Sequence, residues 1–102
     1  MRAINHIDGR RALLPRDYFA DHAFGTDGLA TPSIPEGGDA ASARIAWFQH
    51  KLACRYRQGH GRPSGAALGR TYGFSRSVFS DSLRGARWMG ETVMVALLDA
   101  TR

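Results

Sequence analysis

Residues 64–85 read Ser64-Gly65-Ala66-Ala67-Leu68-Gly69-Arg70-Thr71-Tyr72-Gly73-Phe74-Ser75-Arg76-Ser77-Val78-Phe79-Ser80-Asp81-Ser82-Leu83-Arg84-Gly85. Ser64 follows Pro63 and is placed to cap a helix by accepting from a backbone N–H of its first turn. Gly73 suits the left-handed conformation that closes such a helix. After one further residue Ser75 can cap a third helix, predicted to run to about Arg84, and Gly85 can end it. Two short helices joined by a glycine turn of this length form a helix-turn-helix layout, although a plain helical hairpin shares the spacing.

The side chains of the third helix separate the two cases. At about 100° per residue, with Arg76 at zero, Ser80 lies near 40°, Arg84 near 80° and Ser77 near 100°, while Val78 and Phe79 fall near 200° and 300°. One face is polar and the other apolar, with Leu83 on the border. Arginine can contact guanine O6 and N7 bidentately, and serine can contact bases or backbone. The start of the helix at Ser75 and Arg76 also presents unpaired N–H groups that favour a phosphate.

Outward from this segment, Ala41, Ile45, Phe48, Leu52 and Tyr56 recur at steps of three and four, the stripe of an amphipathic helix from Ala40 to near Gln58. It is expected to stop there because Gly59-His60-Gly61-Arg62-Pro63 follows. Val93, Met94, Leu97 and Leu98 suit a fourth helix. Residues 1–39 are punctuated by Asp8-Gly9, Pro15, Gly25, Asp27-Gly28, Pro32, Pro35 and Gly37-Gly38, too many breakers for long elements. Within them a hairpin about Asp8-Gly9 or an extended arm is expected over residues 4–14. A short helical turn within 17–24 would dock Tyr18, Phe19 and Phe24 on the body, and residues 31–39 read as a linker. The expected division is therefore an extension and linker at 1–39 and a helical domain at 40–102.

Charge follows the same division. Residues 1–43 hold four arginines against five aspartates and Glu36, a net of −2, whereas from Arg44 onward nine arginines and Lys51 face only Asp81, Glu91 and Asp99, a net of +7. A basic second part points to a polyanion, since phosphate neutralisation supplies most non-specific nucleic-acid affinity. The basic residues Arg2, Arg10 and Arg11 suit a minor-groove arm, but the net charge of their segment argues for docking, dimerisation or a protein partner instead. Of the 102 residues 43% are hydrophobic and 23% charged, ordinary globular usage. No membrane partner is expected, since nothing nears eighteen uninterrupted apolar residues, and the start lacks a secretion signal, so a cytoplasmic location is expected. Cys54 is the sole cysteine. His50, Cys54 and His60 lack a fourth ligand and a standard metal spacing, no cofactor motif is present, and no triad or phosphate loop suggests an enzyme. Trp47 and Met89 suit a core, while Trp88 suits either the core or a contact at the surface.

Leu68, Gly69, Gly73, Ser75, Phe79, Ser80 and Gly85, with Arg87 after them, resemble the lambda-repressor-like (Cro and xenobiotic-response-element) helix-turn-helix family in order and spacing. The resemblance covers roughly residues 41–98. It implies an all-α bundle of about four main helices, with the third helix, 75–84, in the major groove of double-stranded DNA. It also implies base-reading positions at Arg76, Ser77 and Ser80, backbone contacts from Ser75, Arg84 and Arg87, and a homodimeric transcriptional regulator, a repressor in the first instance. The chain departs from the family pattern at Gly65, where many members have glutamine. It departs again at Ser82 and Leu83, where an aliphatic and a polar residue are usual, so a slight rotation of the third helix is expected. The alternatives are an antitoxin whose extension holds a toxin, and a helical protein-binding adaptor of phage or plasmid origin. Partition, replication control or recombination would keep the DNA but change the task.

Overall fold

The computed structural model describes residues 13–102. Among them there is a 3-10 turn, Pro15–Tyr18, and four helices: α1 (Ala40–Gln58), α2 (Gly65–Tyr72), α3 (Arg76–Arg84) and α4 (Glu91–Ala100). No strand occurs among the described residues, so the fold is all-helical with the four main helices expected. None of these helices is long and apolar enough to cross a membrane. The hairpin or arm expected over residues 4–14 and the Arg2, Arg10 and Arg11 arm fall, but for Leu13 and Leu14, outside the described residues.

Each helix begins and ends for a local reason. The Asp39 carboxylate accepts from Ser42 N at 2.7 Å and caps α1. Ser64 Oγ accepts from Ala67 N and Ser75 Oγ from Val78 N, capping α2 and α3 as their sequence implies. Gly73 (φ 87°) and Gly85 (φ 74°) close those two helices in the left-handed region, where a side chain would be strained.

The N-terminal segment shares the core with the helices. Tyr18, Phe19 and Phe24 are buried, as expected of a segment docked on the body, and they join Ala46, Leu52 and Ala53 of α1, Phe79 and Leu83 of α3, and Val93, Ala96 and Leu97 of α4. Hydrogen bonds to its backbone fasten it: Arg16 N donates to Gly85 O at 3.2 Å, and the Trp88 indole Nε1 donates to Leu13 O at 3.1 Å. Trp88 is thereby a core residue, edge-on to the Tyr18 ring at 6.1 Å. Trp47 is only partly buried, with Lys51 Nζ 4.3 Å from its ring centroid.

The face that α1 buries differs from the expected stripe. Ala41 is exposed and Ile45 and Phe48 are each 44% exposed, whereas Ser42, Ala43, Ala46, Gln49, His50, Ala53 and Cys54 are buried along with Leu52. The cause is close packing on more than one side. The N-terminal segment packs between α1 and α3, where a Cβ on Gly25 would collide with Leu83 O of α3 and touch Ala53 Cβ of α1 at 3.4 Å. The buried polar groups are satisfied individually. Gln49 exchanges bonds with the Met89 backbone, giving through Nε2 at 3.2 Å and accepting through Oε1 at 2.9 Å, which is why an amide can sit in this core.

Candidate nucleic-acid interface

Three aromatic rings hold α3 in place. Phe79, 6% exposed, stacks on Phe74 with centroids 5.7 Å apart and meets Tyr56 of α1 edge-on at 5.3 Å. The ring lies directly against the start of α2, where a Cβ on Gly65 would come within 2.6 Å of Phe79 Cδ2. This explains the glycine at that position: no glutamine side chain fits without moving Phe79. At Gly69 the constraint is a different one, since a Cβ there would collide with the backbone carbonyl of Phe74.

The inward face of α3 comprises Phe79, Ser82 and Leu83, with Val78 half-buried beside them. Ser82 tolerates complete burial because its Oγ donates to Val78 O at 2.7 Å. Leu83 is therefore a core residue rather than a border one. Arg57 of α1 donates to Leu83 O at 3.4 Å, tying the end of α3 to the long helix.

The opposite face carries Arg76, Ser77, Ser80 and Arg84, all exposed, and Arg87 is exposed just beyond the closing Gly85. Arg76 has no hydrogen-bond or ion-pair partner among the described residues. Ser75 and Ser77 are less available. Their hydroxyls lie 3.2 Å apart, and Ser75 also caps Val78 N, although a hydroxyl with two acceptor lone pairs keeps further capacity. Arg84 is paired with Asp81 one turn earlier. Such an exposed pair contributes little, so a phosphate can compete for the guanidinium. The exposed Arg70 of α2 was not singled out from sequence. Its only signal was its sign, shared with every arginine of the segment.

The geometry brings Ser75, Arg76, Ser77, Ser80 and Arg84 onto one short exposed helix, with Arg87 following in the chain. The first N–H groups of that helix, which no intrahelical carbonyl satisfies, add a partial positive charge. The arrangement suits a polyanion that presents hydrogen-bond acceptors.

Two other clusters carry titratable groups. His50 is fully buried between the Phe19 ring, 4.6 Å away, and the Phe24 ring, 5.6 Å away. Its Nδ1 accepts from Gly25 N at 2.9 Å, which requires the tautomer protonated on Nε2. Burial pushes its pKa below the ordinary value, opposed by Asp27 and reinforced slightly by Lys51. Cys54 Sγ lies 3.7 Å from His50 Nε2, and burial pushes the thiol up, away from the reactive thiolate. At the surface Tyr72 OH donates to Asp99 at 2.7 Å and Arg102 to the same carboxylate at 3.0 Å, joining α2 to α4. The bond to Asp99 raises the Tyr72 pKa and lowers that of Asp99. Among the described residues no three His, Cys, Asp or Glu side chains gather where they can hold a metal ion.

Compared with family models, with curated proteins and with solved structures, the chain matches none. The functional reading rests on its own residues.

Proposed function

We propose that the protein is a sequence-specific, double-stranded-DNA-binding transcriptional regulator, a cytoplasmic repressor without catalytic activity, in which α2 and α3 act as a helix-turn-helix of the lambda-repressor-like kind. The observation that carries this reading is the division of α3: Phe79, Ser82 and Leu83 fix it to the body while Arg76, Ser77, Ser80 and Arg84 stay exposed. A helix held by one face, with exposed donors on the other, can enter a major groove about 12 Å wide without losing its own support. Arg76 and Ser80 then read base edges, with Ser77 beside them. Ser75, Arg84 and Arg87 hold phosphates and set the register.

Regulators of this form bind as homodimers on half-sites about one helical turn, roughly 34 Å, apart. Repression follows by occlusion of a promoter or by recruitment there. The antitoxin alternative needs an extension free to hold a toxin, and Tyr18, Phe19 and Phe24 are already spent in the protein's own core.

The test is selection of genomic fragments by the purified chain. Recurrent enrichment of one motif, palindromic if the dimer holds, is the expected result. Equal recovery of all fragments would point to DNA binding without sequence reading, and absence of any salt-sensitive DNA binding would point to the adaptor alternative.

A further inference from the structure

Three separate parts of the chain meet at the C-terminal end of α3. Arg16 N, in the N-terminal segment, donates to Gly85 O at 3.2 Å, and a Cβ on Gly85 would stand 3.0 Å from Arg16 Cβ. Arg57, in the last turn of α1, donates from its guanidinium to Leu83 O at 3.4 Å. Arg84 is the last residue of α3, and Arg87 follows the closing Gly85 by two positions. All four arginines are exposed.

The end of a helix ordinarily disfavours an anion, because its last carbonyls lack partners and carry the negative end of the dipole. At α3 those carbonyls are occupied. Asp81 O accepts from Gly85 N and Ala86 N, Ser82 O from Gly85 N, Leu83 O from Arg57 and Gly85 O from Arg16 N. Capping the helix uses one of the five donors of the Arg57 guanidinium. It uses none of those of Arg16, whose side chain has no partner among the described residues. The neighbouring Asp17 carboxylate is turned to Leu14 N, from which it accepts at 2.8 Å. Cations therefore remain at this end of the helix after the needs of the fold are met.

We propose that Arg16 and Arg57 bind phosphates of the DNA backbone beyond the end of α3, so that the N-terminal segment and α1 extend the contact that Arg84 and Arg87 begin. This rests on the DNA reading of α3. The nine residues of α3 span about 13 Å at about 1.5 Å each, and a major groove is about 12 Å wide. A helix that enters such a groove by its first turn carries its last turn to the sugar–phosphate wall, where these arginines stand. Contacts of this kind hold register and add affinity without reading sequence. The net charge of residues 1–43 argues against DNA as their partner, but the burial of Tyr18, Phe19 and Phe24 fixes one arginine of that segment against the end of α3. The segment thus serves the DNA surface through a single side chain.

Titration of the full chain with a selected and a scrambled duplex, from about 50 to about 200 mM salt, tests the assignment. One phosphate contact contributes about 0.9 to the slope of log affinity against log salt, or about 3.5-fold in affinity over that range. Arg16→Gln should therefore reduce the salt-induced loss by about 3.5-fold on both duplexes alike, and Arg16→Gln with Arg57→Gln by about tenfold. The melting temperature of Arg16→Gln should not change, because only the backbone of Arg16 is bonded. Arg16→Lys and Arg57→Lys should keep the unaltered slope, since each retains its charge. If Arg57→Gln lowers the melting temperature and leaves the slope unchanged, Arg57 only caps α3 and its part of the proposal fails. An unchanged slope for Arg16→Gln and for the double variant, in a chain that still binds both duplexes, overturns the proposal and leaves the DNA reading intact. A loss confined to the selected duplex makes Arg16 a base reader and overturns the proposal as well. An unaltered chain that binds neither duplex overturns both readings together.

Discussion

α3 and α1 solve opposite packing problems. α3 has nine residues, buries one large ring and a leucine, and exposes arginines and serines. α1 has nineteen, buries alanines, Ser42, Gln49 and His50, and leaves Ile45 and Phe48 half in solvent. A helix gripped on one side can afford large inward residues, because its neighbours can stand off by a ring's thickness. A helix approached on several sides buries alanines beside Leu52, Gln49 and His50, and leaves Ile45 and Phe48 on a side that nothing among the described residues covers. The outcome is two surfaces of different chemistry on one small body, one suited to phosphate and base edges and the other to an apolar partner.

The sharpest way to break this contrast is to empty the grip on α3. Phe79→Ala removes the ring that stacks on Phe74, meets Tyr56 and fills the space over Gly65. A loss of about 3 to 5 kcal/mol is expected, read by denaturant or thermal unfolding. An unchanged midpoint would mean that α3 is not held by this face.

Filling the same space from the other side should cost less. Gly65→Ala places a Cβ against the Phe79 ring, and the ring must shift, for about 1 to 3 kcal/mol of stability. Because the shift rotates α3, DNA affinity should fall further than stability alone accounts for. A stabilised variant, as alanine's helix propensity by itself would give, would contradict the close approach.

On the outward face Arg76→Ala should cost about 1 to 3 kcal/mol on the selected site and relax selectivity at one position, while Arg84→Ala should weaken all sequences alike and lower the salt slope by about 1. Equal losses on specific and random duplexes for Arg76→Ala would reassign it to a phosphate.

The smallest expected effect concerns His50, on the buried face of α1. Its folded pKa is below the unfolded value of about 6.5 because burial penalises the charged ring. The unfolded chain therefore takes up the proton first as pH falls. The contribution of neutral His50 is present in full above that value and is lost progressively below it, as pH descends toward the folded pKa. The melting temperature should fall from about pH 7.5 to about pH 5.5. His50→Gln, which keeps an acceptor for Gly25 N, should flatten that slope; an identical slope would show that other groups set it.

The segment 64–85 was legible because its structure is local. Ser64, Ser75, Gly73 and Gly85 specify caps within four residues of themselves, and α2 and α3 begin and end where those caps place them. The docking of Tyr18, Phe19 and Phe24 was also legible, since three aromatic residues in a short polar stretch have nowhere else to go. The buried face of α1 was not. Periodicity ranks faces by hydrophobicity, and it cannot register that Gly25 and Ala53 meet, a contact between residues 28 apart in the chain that favours small over apolar. The same holds for Gly65 and Phe79: the sequence marks the missing glutamine, but only the packing gives its reason. Of the site itself, sequence identified the exposed residues of α3. It did not foresee the Arg84–Asp81 pair or the engagement of Ser75 with Ser77, because side-chain partnerships at one turn depend on rotamers that spacing leaves open.

The central claim is that α3 reads a DNA sequence. The most direct measurement is titration of the unaltered chain with the selected duplex and with a scrambled duplex of the same composition, at two salt concentrations. Tighter binding of the selected site by about a thousandfold or more, with both affinities falling steeply as salt rises, is the predicted result. Equal affinity for the two duplexes, or binding indifferent to salt, would contradict it.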